Sequence, residues 1–103
     1  MTSVKARRVF VRWRAGPTWK SGAVTEQPRW DEHAAFIDEL IDRGVFVLGG
    51  PLADWSGSLS FFENMSVDEV RETIAKDPFV ENGVFELEDV REWLVFVDEL
   101  SRR

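Results

Sequence analysis

In "ARRVFVRWR" the positions Val9, Val11 and Trp13 alternate with Phe10, Arg12 and Arg14. Period-two alternation predicts a strand with one apolar face and one mixed face. "AGPTWKSGAVTEQP" follows as a long loop, rich in Gly, Pro and small polar residues. From about Arg29 to Arg43, Trp30, Ala34, Ile37, Leu40 and Ile41 recur at helical spacing. Asp31 and Glu32 suit the first turn of that helix, and Gly44 marks its end. "VFVLGG" and "GSLSFFEN" are short apolar runs that read as two strands joined by the turn "GGPLADWSG". "SVDEVRETIAKDP" opens on a capping box, Ser66 with Glu69, beside a Met65–Val70 staple, and it closes on Lys76 and Pro78. The stretch from Val84 to Val97 is again strand-like. Its charged interruption "EDVRE" is a bulge or a break between two strands. The tail 98–103 reads as a frayed end.

The order strand, helix, strand, strand, helix, strand is that of a ferredoxin-like βαββαβ domain, an α+β fold with an antiparallel sheet and two helices on one face. This topology brings the start of the first helix, the end of the second strand and the end of the second helix to one end of the sheet. The other sheet face is left bare, so the fold is expected to dimerise face to face as a dimeric α+β barrel.

Composition narrows this picture. A chain of 103 residues is one domain's worth, 1–103, near the size at which a partner often helps to cover a sheet. The net charge of −6 and the scattered basic residues disfavour nucleic acid, and no apolar run approaches the roughly 20 residues of a membrane span. With no cysteine there is no disulfide and no thiol nucleophile, and the N-terminal stretch lacks a cleavable leader pattern, so a cytoplasmic setting is expected.

The candidate chemistry gathers at the shared end. His33 is the only histidine and lies on the apolar side of the first helix, where an imidazole can exchange a proton near neutrality or simply be a partly buried side chain with a backbone partner. Asp77 and Asp54 compete as its carboxylate partner, Asp77 ranking slightly first. Either one can equally be a local turn or cap residue. Gly49, Gly50 and Pro51 shape a pocket rim, and Trp55, Phe79 and Trp19 offer aromatic walls for a flat or apolar ligand. Arg12, with Arg14, could meet an anionic group or a dimer partner. One His and no Cys make a poor metal site.

The ordered set "H..F...L...G.F.LGGPL.D..G", from His33 to Gly57, and "S.DEV......DPF...GVFE", from Ser66 to Glu86, resembles the YCII-related (YciI-like) family over roughly residues 5 to 97. The resemblance implies a small dimeric α+β barrel with a His/Asp pair in a pocket, in a family that includes a dehydrochlorinase of a substituted hydroquinone. The loop from Ala15 to Pro28 carries no motif of that family. The expected function is a cofactor-independent, metal-free enzyme of the lyase or isomerase kind. In it His33 moves a proton on a small cyclic or aromatic molecule and Asp77 or Asp54 orients the imidazole. A non-catalytic small-molecule-binding or structural dimer is the rival. A haem or flavin monooxygenase of related barrel shape is a third possibility.

Overall fold

The computed structural model describes residues 3–100. Its elements are β1 (Ala6–Ala15), α1 (Trp30–Asp42), β2 (Phe46–Pro51), β3 (Gly57–Phe62), α2 (Val67–Ile74), α3 (Pro78–Glu81) and β4 (Phe85–Val95). The four strands form one antiparallel sheet in the order β2-β3-β1-β4, the order of a ferredoxin-like α+β domain.

Alternation along β1 decides what each face does. Val9, Val11 and Trp13 turn toward the helices and are buried with Leu40 of α1, Val70 and Ile74 of α2, and Phe79 of α3. Arg8, Phe10, Arg12 and Arg14 turn the other way. There Phe10 meets Phe61, and Phe61 meets Trp93 with ring centroids 4.9 Å apart. Arg12 and Arg14 pair with Glu88 and Glu86 of the neighbouring strand on this side. The charged "EDVRE" interruption is a bulge: β4 continues through it, and its register against β1 shifts between Arg12 and Trp13, which leaves Glu88 without an opposite residue.

The ends of the helices follow local chemistry. α1 opens on Arg29 in the left-handed region, carries Asp31 and Glu32 in its first turn, and is followed by Gly44 at φ +73°. α2 begins with the reciprocal capping box expected at Ser66 and Glu69. It ends at Ile74, earlier than the position of Pro78 suggests. Pro78 instead opens α3, since proline at a first helical position sacrifices no needed amide.

The long loop before α1 is more ordered than its composition suggests. It contains a single 3₁₀ turn, Val24–Glu26. Gln27, only 3% exposed, accepts from the Lys20 amide and donates to the carbonyls of Lys20 and Ala23. Of the tail, Asp98 accepts a bond from Arg8 at 2.8 Å; residues 101–103 lie outside the described residues. Among the described residues no helix is long and apolar enough to cross a membrane.

Candidate active site

β1 and β2 both finish, and α1 begins, at the end of the sheet where β3 and β4 start, and α2 gives way to α3 there as well. His33, in the first turn of α1, and Asp77, between α2 and α3, therefore meet. His33 Nδ1 lies 2.8 Å from Asp77 Oδ1 and 2.9 Å from Oδ2. The residue before a proline is pushed to extended backbone, and Asp77 sits at φ −61°, ψ 129°. That conformation lets Oδ1 also accept the Phe79 amide at 2.9 Å and cap α3.

Both Asp77 oxygens are thus used as acceptors, at a side chain only 2% exposed. An acceptor-only carboxylate selects the imidazole tautomer with hydrogen on Nδ1, leaving Nε2 with a free lone pair. The ring is also held in its plane. Phe79 stacks on it at 4.1 Å with 5° between planes, and Phe85 approaches edge-on at 5.8 Å. Nothing here depends on a flexible side chain, since Phe79 itself is fully buried.

His33 and Asp77 line a cavity of about 370 Å³ between α1 and the sheet. Its walls are mostly aromatic and aliphatic: Trp30, Ala34 and Ile37 on the helix side, Phe46, Phe62 and Phe85 on the strands. Buried Ser58 and Ser60 supply the polar groups of the sheet side, while exposed Asp38 and Ile41 face exposed Gly49, Gly50 and Pro51 across the rim. Gly49 suits this point because a Cβ would meet the end of the Phe46 ring, which would have to shift to make room.

The structure brings together His33, Asp77, Gly50 and Pro51 at the cavity; Phe79, expected as an aromatic wall, is fully buried and stacks on His33 without lining the cavity. Asp54 is elsewhere: exposed in the β2–β3 turn, it accepts from the Ser56 hydroxyl at 2.6 Å and the Ser56 amide at 3.0 Å. Those two bonds hold its carboxyl below the usual aspartate range. Trp55, in the same turn at φ 62°, is 38% exposed and does not line the cavity. Trp19 stacks on Phe85 with 9° between planes, one layer behind the wall. Arg12 lies on the far face of the sheet, paired with Glu88 at 3.4 Å.

Sequence reasoning missed Ser58 and Ser60. The signal was present, since the two serines interrupt the inward-facing positions of the third strand, but reading it required the register that places them opposite Trp13 and Val11. Among the described residues no group of three or more His, Cys, Asp or Glu side chains is placed to hold a metal ion.

A ferredoxin-like α+β domain with a histidine–carboxylate pair in a walled cavity defines the structural class. The pattern of the YCII-related domain matches residues 20–94, and the chain belongs to that family. Among solved structures the chain is similar to the 5-chloro-2-hydroxyhydroquinone dehydrochlorinase from Burkholderia phenoliruptrix AC1100, seen in complex with 2,5-dihydroxybenzoquinone. The two share 28% identity and a TM-score of 0.56, over 82% of this chain and 92% of that one. Comparison with curated proteins finds no match.

Proposed function

We propose that the protein is an enzyme of the lyase or isomerase kind, in which His33 transfers a proton on a small ring-shaped molecule held in the 370 Å³ cavity. The observation that carries this reading is the His33–Asp77 contact at 2.8 Å within the lining of that cavity. Asp77 fixes the proton on Nδ1, so Nε2 is the base. It removes a proton from the ring substrate, and the electron pair left behind either expels a leaving group as its anion or relocates a double bond. The imidazolium formed is stabilised by the Asp77 carboxylate and returns its proton to the leaving group or to another ring position. Positioned proton transfer of this kind contributes roughly 10²- to 10⁴-fold. The chemistry of this sequence needs no oxidant, and the residues named supply both the base and the acid. The dehydrochlorinase likeness supports a hydroxylated aromatic ring as the substrate class.

A second copy of the chain is the partner we assign to the far sheet face. Phe10, Phe61 and Trp93 form an aromatic cluster there, Trp93 is 42% exposed, and among the described residues no helix covers it. A stable pairing would bury on the order of 1,000 Å² or more.

The test is chloride release from 5-chloro-2-hydroxyhydroquinone and related halogenated quinols. Wild-type protein is expected to turn over at least one of them, and His33→Asn, which keeps the side chain's size but cannot carry the proton, to lose roughly 10²- to 10⁴-fold. Binding of these rings with no turnover by the wild type would instead make the protein a binding module.

A further inference from the structure

We infer that Ser60 is a substrate-positioning residue, whose hydroxyl donates to an oxygen on the ring bound before His33; the inference rests on the cavity being the substrate site. Ser60 is 5% exposed and lines the cavity. Its Oγ accepts the indole N–H of Trp13 at 3.2 Å. That bond occupies a lone pair and turns the hydroxyl proton away from the indole. Among the described residues nothing accepts this proton. A buried hydroxyl with one lone pair taken and its proton unmatched is a donor waiting for a ligand atom.

Two residues earlier on the same face, Ser58 has the opposite polarity. Its hydroxyl donates to the Gly50 carbonyl at 2.9 Å, which leaves the lone pairs of its oxygen available to accept. Successive inward positions on a strand lie about 7 Å apart. The sheet side of the cavity therefore presents one donor and one acceptor at a spacing close to the span of a substituted six-membered ring. Apart from His33 and Asp77 opposite and Asp38 at the rim, the lining is mostly apolar, so these two hydroxyls are the polar contacts the sheet side offers an oxygenated ring, and Ser60 is the one that requires an acceptor. An acceptor oxygen on the substrate, a phenolate or a quinone carbonyl, also gains negative charge when His33 removes a proton. A hydrogen bond to it then strengthens as the reaction proceeds.

The experiment compares two probes by calorimetric titration, 2,5-dihydroxybenzoquinone and toluene, on wild type, Ser60→Ala and Ser60→Thr. Ser60→Ala is expected to weaken binding of the quinone about 5- to 100-fold, because its oxygen loses a buried donor, while toluene affinity stays within about twofold. Ser60→Thr keeps the hydroxyl and should recover most of the loss. A purely structural serine would weaken both probes together or neither, and either result overturns the inference. Failure of the wild type to bind either probe overturns the cavity as a substrate site, and the inference with it. Turnover that survives His33→Asn, with the Ser60 discrimination intact, would sink the proton-transfer reading and leave Ser60 standing.

Discussion

Replacing Asp77 with Asn separates the two tasks this side chain performs. In the native structure Oδ1 caps α3 through the Phe79 amide while both oxygens face the His33 Nδ1–H. Asn retains one carbonyl oxygen, enough for the cap. In place of the second oxygen it puts an NH₂ group, which repels the Nδ1–H and favours the other imidazole tautomer, with hydrogen on Nε2. The buried, charge-assisted bond lost is worth about 1.5–3 kcal/mol. At 4–8 °C per kcal/mol for a domain of this size, melting should fall by roughly 6–24 °C. Turnover should fall about 10²- to 10⁴-fold, because the base has become a donor. Asp77→Ala also strips the cap and orphans the amide of Phe79, a further 1–3 kcal/mol or so. Thermal melts followed by circular dichroism, with initial rates on any substrate found, give both readouts. Wild-type turnover in Asp77→Asn, or identical melting of the Asn and Ala variants, would refute the division of labour.

Gly49→Ala should destabilise by about 1–3 kcal/mol in chemical denaturation and weaken ring-probe binding, because the new methyl displaces the Phe46 ring into the cavity. Asp54→Asn should leave turnover unchanged. The Asp54 carboxyl is held below its ordinary range, so its contribution to stability is present above the unfolded value and lost as pH falls through the folded one. The melting difference between wild type and variant should therefore shrink in acid, measured by melts across a pH series. Gln27→Ala removes three bonds that tie the loop before α1 together, and limited proteolysis should cut that loop faster while the sheet stays intact.

The fold was legible because its signals are local and agree with one another. Alternation in β1, the Ser66 capping box and the helical spacing from Trp30 each specify one element, and their order leaves one simple topology. The interruption in β4 was ambiguous because a bulge and a break have the same composition; only pairing with β1 separates them. Within the candidate site, His33 and Asp77 could be named from their types and their shared end of the sheet. Asp54 could not be separated from Asp77 by the same reasoning, since both stand in turns near that end, and only tertiary distance shows that one meets the imidazole. Arg12 was visible as a charge on the mixed face of a strand, but which face would be covered depends on where the helices pack. Ser58 and Ser60 carried the weakest signal: a serine in an apolar pattern reads as a blemish until a cavity is found in front of it.

The most direct test of the account is the nitrogen-15 NMR spectrum of the imidazole. His33 is the only histidine, so its two ring nitrogens can be assigned without mutation. The account predicts hydrogen on Nδ1, bonded to Asp77, and a bare Nε2 whose resonance moves when 2,5-dihydroxybenzoquinone is added. Hydrogen resident on Nε2 in the neutral protein, or a ring that the probe leaves undisturbed while binding elsewhere, would contradict it.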